Sequence, residues 1–464
     1  MDNSYIFRRE HLNFRRYRAI WERSKAAYSG GAEYIERALI RHVSEVDLEF
    51  EERRARACYF NYPRKIARLI TQYALAVPPE RRGADAELVE DFSRTGLRTN
   101  EVICQFSTLL NIYGTAFLAV EMPAFTGEVD PERKKRERLR PYAIALSPLQ
   151  VPDYAYGEDG LLLWVLIEEE ALLNSDPMRP PERRRRRRLW TRTEWRVFEQ
   201  DPATGKIMLV AGGRHDLGVV PVVAAEEPDG FGIDANHWFE DVVRISDAIL
   251  NNSSEAQMNI IKQLFGLLVI SESFARQANN SKPNENKQNH GERFSRVLAR
   301  SAAIWESPDE KGVSRYISPG GADTAEIRAE NATLKREMFD IVGIAIQRES
   351  RDAQTAESKA WDHQNVHQFL ACRVELLEQF ETECWKLMQR WDRSIHVPEV
   401  SYNRDFAVTD LKAAIEGLLG LNQLSGSERY QKLIARAAVG LLDRYQKLPQ
   451  AERDAALAEI GEVI

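Results

Sequence analysis

The sequence predicts an α+β protein, mainly α-helical, in which two long helices carry a small insertion away from a mixed body. Three observations predict it. Apolar residues recur at three- and four-residue steps through both ends of the 464-residue chain, the spacing of helices with one buried face. Between Thr115 and Ala224 the period changes, and Gly, Pro and Asp separate short β-prone runs. After Asn236, two long helical stripes flank a polar, irregular segment.

In order, Arg15–Tyr28 and Tyr34–Val43 read as helices split by Ser29-Gly30-Gly31, and Phe50–Leu75 continues the pattern until Pro78-Pro79 ends it. A helix is expected from Asp85 to Ile112, closed by Gly114. Strands are expected at Thr115–Glu121, Pro141–Leu146, Gly160–Glu168, Arg188–Glu199, Lys206–Ala211 and Val219–Ala224. Asn236–Leu268 carries a helical stripe from Trp238 to Leu267. The run Arg276–Asn286 reads as an exposed loop, and Val297–Trp305 with Val313–Ile317 as a small pair of strands. Helices follow at Ala322–Ala345, Thr355–Trp391, Val408–Leu421, Ser427–Gln446 and Gln450–Val463. A 24-residue helix reaches about 36 Å, far enough to present the insertion outside the body.

Composition narrows the class. Sixty-four Lys and Arg against 71 Asp and Glu leave a net charge of −7, with 43% hydrophobic and 29% charged residues, an ordinary globular balance. The longest apolar runs, Leu161–Ile167 and Leu264–Ile270, fall far short of the ~20 residues a bilayer crossing needs. The N-terminus has no apolar signal core, so neither secretion by that route nor a membrane is expected. Cys58, Cys104, Cys372 and Cys384 are scattered, which points away from a disulfide framework or zinc spacing and toward a reducing cytoplasm.

No phosphate-binding loop, dinucleotide fingerprint or nucleophile-elbow motif occurs, and the doublets Gly212-Gly213 and Gly320-Gly321 read as turns. His363 and His367 would share a helix face, but Gln364 stands where a zinc helix carries its glutamate. Glu168-Glu169-Glu170 reads as a strand end facing water. The run Arg183, Arg184, Arg185, Arg186, Arg187 and Arg188 has two readings. One is a phosphate-binding strip with Trp190 and Trp195 as stacking partners. The other is a solvated loop entering a strand and meeting an acidic surface, since six like charges need a counter-surface. A protein or packaged-DNA contact is favoured over sequence-specific recognition. No catalytic site, metal or cofactor is expected, and the chain is not read as an enzyme.

The order of elements resembles the portal proteins of tailed bacteriophages. The likeness is carried by Leu109–Leu118, the helix-to-strand entry; Ser147–Asp153 with Gly160; Gly218–Val223; Asp247–Asn251 with Ser254; and Thr355–Ala360. That resemblance implies a ring, usually of twelve copies, at one capsid vertex. Residues 1–235 would form the wing, 236–268 and 322–345 two stem helices, 269–321 the clip, 346–358 a channel loop, 359–399 a long wing helix and 400–464 the crown. It implies double-stranded DNA in transit without sequence specificity. It also implies docking of the terminase large subunit and of head–tail connector or adaptor proteins, contact with major capsid or scaffolding protein, and a place in the virion after assembly in the host cytoplasm.

Two surfaces follow. The stem stretches carry nine acidic against five basic residues, with Asp247, Glu255, Asp323, Glu326, Glu330 and Glu337 expected on the surface. An acidic wall suits a conduit, because each Lys or Arg on phosphate resists sliding. The resemblance also implies a DNA-facing channel loop of Gln347, Arg348, Ser350, Arg351, Gln354 and Thr355, although no glycine falls between Gln347 and Ala360. Two other readings stay open: a monomeric nucleic-acid adaptor built on Arg183–Arg188, and a nucleic-acid-processing enzyme with an unrecognised site.

Overall fold

A computed structural model describes residues 3–123, 130–173, 178, 180–226, 237–264, 267–271, 305–307, 315–317, 322–342, 356–404, 406, 420, 427–446 and 450–462. The chain is α+β and mainly helical, and it divides into two compact units, Met1–Arg404 and Asp405–Ile464.

The first unit opens with helices α1 (Leu12–Ser29), α2 (Ala32–Ala38), α3 (Asp47–Arg56) and α4 (Tyr62–Ala74). The stretch expected as one helix through Phe50–Leu75 is two. Asn61 Oδ1 accepts from the Arg64 N–H at 2.9 Å and Pro63 occupies the first turn, so a new helix starts there. Strand β1 (Glu80–Arg82) follows. The helix expected from Asp85 to Ile112 likewise divides into α5 (Ala86–Glu90) and α6 (Thr99–Tyr113). Between them Ser93 Oγ accepts from the N–H groups of Thr95 and Leu97, and Gly96 takes a φ of 85°, a turn no helix runs through.

Two sheets form the middle of the unit. Strand β2 (Thr115–Glu121), buried along its whole length, lies between β3 (Tyr142–Leu146) and β9 (Val222–Glu226); α7 (Pro131–Arg136) sits in the β2–β3 connection. The larger sheet runs β4 (Asp153–Tyr156), β5 (Leu162–Leu173), β6 (Glu182–Thr191), β7 (Glu194–Gln200) and β8 (Ile207–Arg214), all antiparallel in that order. The single strand expected at Arg188–Glu199 is a hairpin, turned where Thr191 Oγ1 accepts from the N–H groups of Thr193 and Glu194. Phe14, Tyr17 and Trp21 of α1 join Phe117, Val165, Ile167 and Trp190 in one hydrophobic core. Trp21 Nε1 donates to the Tyr113 carbonyl at 3.1 Å.

Helix α8 (His237–Leu264) roots in that core through Phe239 and Val243. Three residues on begins β10 (Leu267–Ser271), which pairs in parallel with β11 (Trp305–Ser307) and antiparallel with β12 (Arg315–Ile317). The helical stripe expected to reach Leu268 therefore stops short, because β-branched Val269 and Ile270 enter this sheet. Helix α9 (Ala322–Ile341) returns alongside α8, α10 (Ala356–Trp391) packs on α4, β2 and β9, and β13 (Glu399–Ser401) pairs with β1.

The second unit is α11 (Glu428–Gln446) packed on α12 (Gln450–Glu462). The helix expected at Val408–Leu421 lies outside the described residues except for Gly420.

Candidate nucleic-acid interface

Helices α8 and α9 form an antiparallel pair with a polar seam. Asn252 Nδ2 donates to Asn331 Oδ1 at 3.1 Å, and Asn331 Nδ2 donates to Ser253 Oγ at 3.1 Å. Two turns further out, Asn259 Nδ2 and Gln263 Nε2 donate to Thr324 Oγ1 at 3.3 and 3.4 Å. These partners recur seven residues apart on both helices, one face in each. That spacing was readable in the sequence, but a search for charge and apolar periodicity passes over it.

At 28 and 20 residues, the helices are about 42 and 30 Å long. Burial is uneven along them. The first two-thirds of α8 is held by the body, and on α9 only Thr324, Met338 and Phe339 are buried. The pair thus leaves the body with its small sheet at the far end.

The outward side of α9 is an acidic stripe. Asp323, Glu326, Glu330, Glu337 and Asp340 are all exposed, and none has an ion-pair partner among the described residues. At about 100° per residue these five fall within roughly a 100° arc of the helix. Arg328, Lys335 and Arg336 stand off that arc, and the Lys335 ammonium lies over the Tyr62 ring at 5.9 Å.

The two carboxylates expected on α8 differ. Glu255 is exposed beside a recess lined by His42, Glu49 and Lys262. Asp247 instead turns to the body, where its Oδ2 accepts from Arg23 at 2.6 Å and its Oδ1 accepts from the Tyr34 hydroxyl. Burial, then that hydrogen bond, raises the Tyr34 pKa. No sequence spacing announces these partners, which come from α1 and α2.

The six arginines occupy the interior of a strand, not a solvated loop, and five are paired within the chain. Alternation along β6 sends Arg185 and Arg187 to one face, where both reach Glu168, at 2.7 and 2.6 Å. Arg184 and Arg186 share Glu199 from the other face at 2.7 and 2.8 Å. Arg188 pairs with Glu121 and, at 3.3 Å, with Glu169. Arg187 also donates to the carbonyls of Ile6 and Arg9, pinning the N-terminal segment to the sheet. Only Arg183 is exposed without an ion-pair partner among the described residues.

The triplet Glu168–Glu170 is accordingly not a strand end in water: it lies opposite Arg187, Arg186 and Arg185 across the β5–β6 ladder. Burial pushes the Glu168 and Glu199 carboxyls up, but their arginine pairs win and hold both below the usual carboxylate range. Glu169 is raised, because burial outweighs Arg188.

Trp190 and Trp195, considered above as base-stacking partners, lie 6.1 Å apart between ring centroids, with Trp190 buried against Trp391 and His215. The channel-loop residues Gln347, Arg348, Ser350, Arg351, Gln354 and Thr355 lie outside the described residues. His363 and His367 fall on α10, and no group of three or more metal-ligating side chains gathers among the described residues. No helix among them is long and apolar enough to cross a membrane.

No protein-family model matches the chain, and no curated protein sequence matches it. Among solved structures, a chain of the virion of a native gene transfer agent particle aligns over 89% of this chain and 98% of its own, at 11% identity and a TM-score of 0.45. A chain of the neck of the native particle, computed with C12 symmetry, aligns over 81% and 90% at 11% identity and 0.45. One from the neck of the empty particle, computed with C6 symmetry, aligns over 80% and 88% at 11% identity and 0.43. Likenesses at this level carry no assignment of function.

Proposed function

We propose that this chain is the subunit of a portal-type ring, a channel through which double-stranded DNA enters and leaves a capsid. The observation that carries the reading is the α8–α9 excursion with its unpaired acidic stripe, Asp323, Glu326, Glu330, Glu337 and Asp340. A duplex carries one negative charge per about 1.7 Å, so a wall of the same sign offers no register at which it binds. DNA would slide past such a wall and not dwell on it. In this reading α8 and α9 are the stem, the β10–β12 sheet belongs to the clip, and residues 346–358 form the channel loop.

The clip would meet the terminase large subunit during packaging and head–tail connector proteins afterwards, and the wing the capsid or scaffolding protein. Assembly would precede incorporation into the virion, in the host cytoplasm. Hydrolysis would belong to the partner motor, and this chain would act by shape and charge alone.

The adaptor reading loses its support from the same geometry, because five of the six arginines it needs are already paired with carboxylates of the chain. Native mass spectrometry with negative-stain imaging tests the proposal. Closed rings of about twelve 53.2 kDa chains with a central hole are expected. A monomer that binds duplex DNA tightly, and loses that binding when Arg183–Arg188 become serine, would overturn it.

A further inference from the structure

We propose that the second unit supplies a contact between copies, with the outer face of α11 in one copy seated antiparallel on the outer face of α12 in the next, a reading that rests on the ring proposed above. Among the described residues of this unit no side chain is buried, and Leu433 and Leu442 are 62% and 50% exposed. Helices in proteins are stabilised mainly by burying one face against a neighbour. Two helices of 19 and 13 residues that fully bury no side chain are therefore short of cover.

The exposed residues choose that cover. On α11, Arg429, Leu433 and Arg436 lie at i, i+4 and i+7, all exposed and within roughly a 60° arc. On α12, Glu452, Ala455 and Glu459 lie at i, i+3 and i+7, all exposed and within an arc of about the same width. None of these four charged side chains has an ion-pair partner among the described residues, although α11 and α12 of one chain pack together.

Laid antiparallel, the two faces match without a gap. Arg429 meets Glu459, Leu433 meets Ala455 and Arg436 meets Glu452. On each helix the charges stand two turns apart, about 10.5 Å, so both pairs form in one register. The leucine between the arginines lies over the small alanine between the glutamates. Gly440 continues the α11 face by one turn, and a Cβ there would meet nothing within 4 Å. Glycine weakens a helix interior, and nothing inside the chain calls for one here; the close approach of a neighbour does.

Other pairings fail. Setting α11 on α11 would oppose arginines, and setting α12 on α12 would oppose glutamates. A chain cannot satisfy itself either: α11 and α12 run antiparallel across a short turn, which leaves Leu433 and Ala455 about 12 Å apart along the helix axes. What remains is a contact between two different patches of neighbouring copies, the kind that closes rings.

The test uses the full chain carrying Leu433→Cys and Ala455→Cys, with the exposed Cys58 and Cys372 changed to serine. Within one copy the new thiols are too far apart to bridge, but across the proposed contact they face each other. Mild oxidation should give a ladder in steps of 53.2 kDa on a non-reducing denaturing gel, climbing to the closed ring. Either new cysteine alone should not climb past a dimer. Adding Arg429→Glu with Arg436→Glu should abolish the ladder, and adding Glu452→Arg with Glu459→Arg to that variant should restore it. Rings in negative stain without a ladder, or a ladder indifferent to charge reversal, would overturn this contact and leave the ring reading standing. An unsubstituted chain that never assembles would remove both.

Discussion

Strand β6 and helix α9 each gather charge of one sign, six arginines on the strand and five carboxylates on the helix, yet they treat it in opposite ways. Along β6, alternation throws consecutive arginines to two faces, and each face meets a carboxylate from β5 or β7. Along α9, the helical period gathers carboxylates on one face and nothing in the described chain answers them. The sheet encloses its charge as internal scaffolding, while the helix displays its charge. A run of one sign in a sequence therefore says nothing about partners until the secondary structure divides it.

The comparison breaks most visibly if the display on α9 is reversed. Changing Asp323, Glu326, Glu330 and Glu337 to lysine should turn a surface indifferent to duplex DNA into one that binds it. With four phosphate contacts per copy, affinity should fall about a hundredfold between 50 and 200 mM salt, read by fluorescence anisotropy. Unchanged, weak binding would mean that the stripe never faces DNA.

The scaffolding on β6 is tested by stability. Arg184→Ala with Arg186→Ala strands Glu199, whose side chain is 5% exposed, and should lower the midpoint of the first unit's chemical denaturation. Arg183→Ala, which removes no ion pair, should change stability by under about 0.5 kcal/mol. Equal effects would mean that the pairs contribute nothing.

Acid should separate the two regions next. Glu168 and Glu199 have folded pKa values below the ordinary one, so their contribution is complete above about pH 4.3 and is lost as pH falls through the depressed values. Glu169, raised, works the other way and offsets part of that loss. Near-ultraviolet circular dichroism from Trp190 and Trp195 should report the sheet loosening as the pH falls below the ordinary carboxylate range, before helical signal declines. Simultaneous loss would show that the sheet has no separate acid sensitivity.

The smallest effect belongs to the polar seam: Asn331→Leu should shift stability by under about 1 kcal/mol, because Asn331 and its partners Asn252 and Ser253 are only half-buried and water replaces the lost bonds. A loss of several kcal/mol would mark the seam as a rigid lock.

Much of this architecture was legible because it is local. Strand β2 is apolar at nearly every position and is buried at all of them, and the acids of α9 are spaced by helical steps. The fate of Arg183–Arg188 was not, since strand register joins Arg187 to Glu168 and Arg186 to Glu199 across intervening turns. A hint was present: Glu168–Glu170 and Arg185–Arg187 sit at equal distances on either side of positions 177 and 178, just before Pro180-Pro181, as the arms of one hairpin. Asp247 misled for the same reason, its charge being answered by Arg23 and Tyr34 from helices more than 200 positions earlier.

The amide-and-hydroxyl contact between α8 and α9 has a mechanical consequence. Two rods clasped by oil resist separation because parting them wets their surfaces. Rods clasped by asparagine, serine and threonine exchange one set of partners for solvent at little loss. Each rod stays stiff along its own hydrogen-bonded axis. A pull on the small sheet at the tip should therefore be absorbed as slip between the rods before either one unwinds. The excursion would then yield by sliding of one rod along the other, as a leaf spring flexes by slip between its leaves.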